Sequence, residues 1–448
     1  MRLTRPSFRR SALLLAALAA LHSLVYVPLV DTNEKTDTWS YVASANAILD
    51  GGYSTPLQAG FYFVYPDSWF DITGARIDES AWDEPERQVF RPPGYPAYLA
   101  LFGKDKIFRG DHTAALIGHA VLFGIGAYLL ILTVRRWWGE NVALLGGLLY
   151  AVDPWSKHYV SLVLSETLAG TVALALLYLF TRAWERPSWA RWLAAGALAG
   201  ALSLVRAVFV FVPVLLVLAA FARRGTTRER LTRAVATAAA SAVLIVPWLA
   251  WTHSVVGRAT MSVWGEGYNL VLAASGEGHG TTAGDVEADP AFQARMDRIR
   301  AQVPSAEEIS ADPTAHPRYL SRADEQVRDD ALELYRERLA DEPLDVLWDS
   351  LYRMWFLWNA HEDWYQPSGA ALLPFRALDA ALIVLALIGA AIAVARGGAG
   401  RAAVAFLAAY TLVLGTHHVE ARFAMPLRGL FLSLVALAVA AAWRQRRA

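Results

Sequence analysis

The chain of 448 residues contains no cysteine. Disulfides, iron–sulfur clusters and cysteine-ligated zinc are therefore excluded, while the redox compartment stays unread. Lysine is almost as scarce: Lys35, Lys104, Lys106 and Lys157 stand against 37 arginines, an arginine and alanine richness read here as the mark of a GC-rich bacterial genome. An excess of charge of one sign is also missing, the formal net charge being zero. No zinc-finger, RNA-binding or phosphate-loop pattern occurs either, so nucleic acid is not an expected partner. The ten histidines are scattered, with no HExxH-like spacing, and carry little metal signal.

Apolar residues are what the chain has in abundance, at 55% of the total. They fall in runs of about 20 residues, the length that crosses a bilayer as a helix. The expected fold class is all-α: a polytopic membrane helical bundle of ten spans, within a range of nine to twelve. The spans are placed at residues 11–30, 112–134, 141–152, 159–181, 190–205, 207–222, 234–252, 376–395, 401–416 and 424–442. The first follows a basic stretch, but its apolar run is too long for a typical signal peptide, so an uncleaved span is expected. The third and fifth are short for a bilayer and are expected to be buried, tilted or partly re-entrant.

Alternate connections are basic: "MRLTRPSFRR", "RRWWGE", "TRAWERPSWAR", "ARRGTTRERLTR", "ARGGAGR" and "WRQRRA". Positive residues in short loops mark the cytoplasmic side, which puts both termini inside and the polar loops outside. Three regions follow. Residues 1–252 form an N-terminal transmembrane region with a long first outer loop, 31–111, carrying juxtamembrane helices. Residues 253–375 form a small outer helical segment, and residues 376–448 a C-terminal transmembrane region. Within the outer segment, Val327, Leu332, Leu334, Tyr335 and Leu339 offer a core stripe. "PLDVLWDSLYRMWFLWNAHEDWY" suits an amphipathic helix lying at the membrane interface through Trp348, Tyr352, Trp355, Phe356 and Trp358.

Ionisable residues gather at the outer ends. "TDTWSYVASANAIL" reads as a helix in which Asp37 is either an N-cap or a general base held at a low-dielectric boundary, with Tyr41 a polar edge. "DPWSKHYVSLVLSETLAG" supplies Asp153, Lys157 and Glu166, the last expected about two turns inside the fourth span, where an ionised group faces a cavity or a partner. Arg206, in a short outer turn, breaks the positive-inside trend; it either binds a lipid phosphate or snorkels to headgroups. "GTHHVEARFAMPLRG" brings together His418, Glu420 and Arg422. The adjacent His417 and His418 make a poor metal pair on a helix, and Arg422 as an anion clamp oriented by Glu420 is the better reading.

The order "TDTWSYVASANAILDGGYSTP", "RPPGYPAYLALFG", "SLVLSETLAG", "SLVRAVFVFVP", "HHVEARFAMP" resembles the GT-C superfamily of integral-membrane glycosyltransferases. It is similar to the bacterial relatives of dolichyl-phosphate-mannose-protein mannosyltransferases and lipid A aminoarabinose transferases. The resemblance implies transfer of a sugar from a polyprenyl-phosphate carrier to an extracytoplasmic acceptor (lipid, glycan or protein) at the outer face of a bacterial cytoplasmic membrane. It implies Asp37 as catalytic base and matches Glu166 to the acid of an "SE" motif. Arg206 matches the arginine after the short small-residue helix, and Glu420 with Arg422 an E-x-R-[FY] motif. Arg206, Arg422 and Lys157 are then the candidate phosphate-binding cations; Glu166, Asp153, Glu420, His418, Tyr41 and Arg91, which opens "RPPGYP", are supporting polar groups. No cofactor is implied, and a divalent metal is left open. Two departures stand out: Asp37 is followed by Thr38 where many relatives carry a second acid, and the first loop holds an acidic insertion from Asp67 to Glu86. The competing readings are a transporter or flippase of lipid-linked sugars and a non-catalytic subunit of an envelope complex.

Overall fold

The computed structural model describes residues 5–29, 37–49, 91–103, 112–262, 265–278, 281–300, 315–359 and 373–446. Most of the first outer loop, including the acidic insertion, lies outside the described residues. Those described fold almost wholly into helices; the one strand-like pairing among them is an isolated bridge between Gly278 and Thr281.

Six helices are long and apolar enough to cross a membrane: Ser7–Tyr26, Thr113–Trp138, Glu166–Glu185, Thr227–Val256, Arg376–Arg396 and Ala421–Gln445. Four shorter apolar helices, Glu140–Val152, Trp189–Val205, Ala207–Ala222 and Ala399–Gly415, correspond to the remaining expected spans. The first half of the chain runs through α1 (Arg5–Tyr26), α2 (Asp37–Leu49), α3 (Gly94–Ala100), α4 (Thr113–Trp138) and α5 (Glu140–Val152). It continues as α6 (Pro154–Val160), α7 (Glu166–Glu185), α8 (Trp189–Val205), α9 (Val212–Ala222) and α10 (Thr227–Val256).

Small residues set the closest packing. In α8, a Cβ on Gly200 would meet the Ser241 carbonyl oxygen of α10 at 3.0 Å. Ser241 Oγ donates to the Gly196 carbonyl at 2.8 Å, so the two backbones approach through the small-xxx-small face of α8. One end of the bundle is rich in arginine. There Arg135 pairs with Glu140 at 2.6 Å, Arg136 pairs with Glu185, and Arg223 Nε donates to the Trp184 carbonyl at 2.8 Å. Cations at these helix C-termini complement the carbonyl ends of the helix dipoles.

The chain then forms α11 (Glu266–Ala274), α12 (Ala283–Ala288), α13 (Pro290–Arg300), α14 (Ala315–Asp341) and α15 (Pro343–Trp358). It ends in α16 (Leu373–Arg396), α17 (Ala399–Gly415), a 3-10 segment (Ala421–Leu427) and α18 (Arg428–Gln445). Helices α11 to α14 share a second, smaller core that includes Leu270, Val271, Phe292, Met296 and Val327. Its stripe on α14 is Ala323, Val327 and Ala331, with Leu334 and Tyr335 packed at its edge. Leu332 and Leu339, expected in that stripe, are exposed: Leu332 falls one position off the buried i, i+4, i+8 line, and Leu339 lies two turns past its last buried member, Ala331.

Two further expectations need correction. The fourth span was placed from residue 159, but Pro154–Val160 is a separate helix and Ser161–Ser165 a turn, so α7 begins at Glu166. Glu166 therefore stands in the first turn of α7, where the positive end of the helix dipole favours an acid, rather than two turns inside. In α15, Trp358 faces inward, stacked on Phe431 with ring centroids 4.8 Å apart and donating Nε1–H to Thr411. Leu344, Leu347, Trp348, Leu351 and Trp355 make the exposed face instead.

Candidate active site

At the end of the bundle opposite the arginine-rich one, four chain segments meet: α2, the turn Ser161–Ser165, the α8 C-terminus and the 3-10 segment Ala421–Leu427. Two of them are placed by local sequence features, with α3 packed beside them. Helix α3 follows "RPPG", and its Gly94 lies so close to α8 that an added Cβ would meet the Leu204 carbonyl oxygen at 2.7 Å. Helix α8 ends at Val205, and Arg206 turns into extended backbone (φ −144°, ψ 123°) before the next 3-10 turn. Pro426 ends the 421–427 segment against α7, where a Cβ on Gly170 would meet Pro426 Cα at 3.3 Å.

The centre of the site is the Arg206–Glu166 ion pair. The same Nη1 of Arg206 donates to Ser165 Oγ at 3.3 Å, and that oxygen lies 3.0 Å from the Tyr41 hydroxyl of α2. Ser165 occupies the N-cap position of α7, yet its side chain makes no capping hydrogen bond. Among the described residues, neither Nη2 nor Nε of Arg206 has a hydrogen-bonding partner, and the guanidinium carbon lies 5.2 Å from the centroid of the Phe423 ring. Arg422 approaches the same ring at 5.5 Å and pairs with Glu420 at 2.6 Å. The Tyr410 hydroxyl fixes this corner by donating to the Phe423 carbonyl at 2.6 Å.

Around the first group stands a ring of anchors. His418 bonds Glu277 of the outer helices through Nδ1 at 2.6 Å, and its Nε2 lies 4.0 Å from Glu420. On α2, Thr38 Oγ1 donates to the Val163 carbonyl at 3.4 Å; Arg91 donates to Ser40 Oγ at 3.3 Å and lies over the Tyr41 ring. Tyr95 meets Tyr41 edge-on at 4.8 Å, and its hydroxyl is 3.2 Å from His119 Nε2, whose other nitrogen is held by the Val160 carbonyl.

The structure thus brings together Tyr41, Arg91, Glu166, Arg206, His418, Glu420 and Arg422. Asp37 is the first residue of α2, one helical turn before Tyr41; its side chain lies outside the described residues. Asp153 and Lys157 stand apart. Asp153 caps α6 by accepting from Ser156 N at 2.9 Å and pairs with the buried Arg428 at 3.4 Å. Lys157 is fully buried, donating to the Ala19 carbonyl at 3.3 Å above the Phe123 ring. No hydrogen bond or ion pair joins either residue to Arg206, Glu166 or Arg422. Among the described residues no group of three or more His, Asp or Glu is arranged to hold a metal ion. Ser165, Phe423, Tyr410 and Glu277 are members that the sequence reading left out. Phe423 was within reach as the aromatic of the E-x-R-[FY] motif; Glu277 carried no motif at all.

Comparison with known proteins bears on family and fold. A family model described as Dolichyl-phosphate-mannose-protein mannosyltransferase matches residues 91–251. The fold is similar to that of the oligosaccharyltransferase AglB from Archaeoglobus fulgidus, in complex with an inhibitory peptide and a dolichol-phosphate (TM-score 0.52, 14% identity, covering 97% of this chain and 50% of that one). The apo form of the Archaeoglobus fulgidus oligosaccharyltransferase gives a TM-score of 0.53 at 15% identity, with 97% and 51% covered. The chain spans about half the length of these oligosaccharyltransferases. ArnT from Cupriavidus metallidurans, bound to undecaprenyl phosphate, overlaps 96% of this chain and 77% of its own at 14% identity, but superposes too loosely to carry an argument (TM-score 0.37). No curated protein matches in sequence. Residues 91–251 are thus similar to the dolichyl-phosphate-mannose-protein mannosyltransferase family, and nearly the whole chain shares the fold of the oligosaccharyltransferase.

Proposed function

We propose that the protein transfers a sugar from a polyprenyl-phosphate carrier to an acceptor on the outer face of a bacterial cytoplasmic membrane, by an inverting displacement. The acceptor hydroxyl gives its proton to Asp37 as its oxygen bonds to the anomeric carbon. The bond from that carbon to the phosphate oxygen breaks, and polyprenyl phosphate leaves with the electron pair. The leaving charge needs cations already in place, since electrostatic stabilisation costs least when the dipoles and charges do not reorganise.

The observation that carries this reading is Arg206. Glu166 and Ser165 hold one of its nitrogens, two others are left for an anion, and Arg422 stands on the same Phe423 ring. Support also comes from AglB, a protein of this fold that holds a dolichol-phosphate. The alternation of arginine-rich and polar loops favours the outer face for this site. Charge placed at a helix end also counts against a transporter, whose ionisable groups sit near the bilayer midplane at broken helices.

The test is donor consumption by the protein in lipid nanodiscs, offered polyprenyl-phosphate hexoses and pentoses with membrane-extract acceptors. Release of polyprenyl phosphate that is lost in Arg206→Ala supports the reading. Carriers that cross sealed vesicles without losing their sugar contradict it and favour the flippase.

A further inference from the structure

Ser165 is a residue in the place of a helix cap that does not cap. Serine at an N-cap ordinarily accepts from a backbone N–H of the first turn, whereas here Oγ makes no such bond. Its oxygen is used elsewhere, accepting from Arg206 Nη1 at 3.3 Å and meeting the Tyr41 hydroxyl at 3.0 Å. Ser165 is fully buried and Tyr41 nearly so, so these bonds are shielded from competition by water. The result is a continuous chain from Glu166 through Arg206 and Ser165 to Tyr41, ending on the helix whose first residue is Asp37.

The hydroxyl protons sharpen the point. Arg206 can only donate, so it takes a lone pair of Ser165. Tyr41 and Ser165 then have two protons between them, and one lies in their mutual bond. Among the described residues neither hydroxyl donates to a further acceptor, while Glu166 Oε2 in the same cluster is buried without a hydrogen-bond partner. One donor is left over in a buried position beside Arg206, where an unsatisfied polar group is costly. Other contacts also reach α2: Thr38 donates to the Val163 carbonyl, and Tyr95 and Arg91 close on Tyr41.

We infer that Ser165 is a positioning residue that fastens the helix bearing the base to the arginine that receives the donor phosphate. This rests on the glycosyl-transfer reading above. Occupancy of Arg206 by phosphate then orders α2 through the Ser165–Tyr41 hydrogen bond, and Asp37 is set at a fixed distance from the bond to be broken. Productive geometry of this kind acts on turnover more than on binding.

The test compares wild type with Ser165→Ala, Tyr41→Phe, the double variant and the hydroxyl-keeping Ser165→Thr, all full length in nanodiscs, with undecaprenyl phosphate as the probe. Hydrogen exchange of the peptide covering residues 37–49 is read with and without the probe. Added undecaprenyl phosphate slows exchange in wild type and Ser165→Thr, and leaves it unchanged in Ser165→Ala and Tyr41→Phe, while Kd for the probe stays within about threefold. In the transfer assay, kcat falls about tenfold in each single variant, the order of one lost hydrogen bond. KM for the donor changes little, and the double variant is no worse than either. Slowed exchange that persists in Ser165→Ala, additive losses in the double variant, or loss of probe binding would each overturn the inference. The exchange readout stands whether or not sugar is transferred, so its failure is separable from failure of the functional reading.

Discussion

Arg206 and Glu166 face each other as an ion pair at the start of α7, the carboxylate almost completely buried and the guanidinium largely so. Removing one partner of such a pair costs more than removing both, because the survivor is left charged without a counter-ion. A cost on the order of 3–5 kcal/mol is typical. Glu166→Ala and Arg206→Ala are therefore each expected to lower thermal stability sharply. The double variant should be more stable than the sum of the two losses. Melting of the three proteins in one detergent checks this; strictly additive losses would show that the pair is not coupled.

Gly94 reports on how Arg206 is placed. Its missing side chain lets α3 lie against Leu204 and Val205, where an added Cβ would meet backbone atoms at 2.7 to 2.8 Å. Backbone cannot swing aside as a long side chain does, so Gly94→Ala should cost roughly 1–3 kcal/mol and displace the residue that follows Val205. Sugar transfer should fall with stability, whereas Ala97→Ser, on the exposed face of the same helix, should leave both as they were. Equal behaviour of the two variants would remove Gly94 from the account.

His418 provides a pH dependence with a definite sign. Burial pushes its imidazole down, but the hydrogen bond and charge of Glu277, with Glu420 beyond, outweigh that and raise it above its ordinary value. A basic group raised in the folded state stabilises fully below its unfolded value of about 6.5 and loses that contribution as pH rises through the folded value. The tie between the 416–420 loop and the outer helices should weaken as the medium becomes alkaline. Melting temperature should fall across that window in wild type and vary less in His418→Asn, which keeps a donor but does not titrate. Parallel curves for the two proteins would exclude His418 as the source.

The absence of cysteine makes the exposed face of α15 easy to probe, since any introduced thiol is unique. Leu344, Leu347, Trp348, Leu351 and Trp355 share that face, an arrangement suited to the headgroup boundary. A nitroxide on Leu347→Cys should collide more with oxygen than with a water-soluble nickel complex in bilayers. The same label on Glu342→Cys, at an exposed position before the helix, should show the reverse. Equal exposure to the nickel complex at both positions would put α15 in water.

Much of this architecture was legible because hydrophobic length and arginine placement act along the chain itself. The spans, the short α5 and α8, and the small-residue face at Gly196 and Gly200 all follow from local pattern. The start of α7 was not legible: "SLVLSETLAG" has no proline or glycine before Glu166 to break a helix, and its first half is a turn held by Thr38 and Tyr41, which reach Val163 and Ser165 from 125 and 124 positions away. Site residues legible in sequence were those whose charge was out of place, Arg206 and Glu166 above all. Lys157 looked similar, yet it is turned into the core, where the Ala19 carbonyl and the Phe123 face take the place of a ligand. Ser165 and Glu277 were hidden because their partners are distant in sequence, Arg206 and Tyr41 being 41 and 124 positions from Ser165 and His418 being 141 from Glu277.

Asp37 carries the central claim, and one measurement addresses it most directly: transfer of labelled sugar from polyprenyl-phosphate donors by wild type and Asp37→Asn, with membrane insertion and undecaprenyl phosphate binding measured on the same preparations. Loss of transfer by at least about a hundredfold, the lower range for a missing general base, with insertion and binding intact, is the predicted result. Transfer by Asp37→Asn at the wild-type rate would contradict the account.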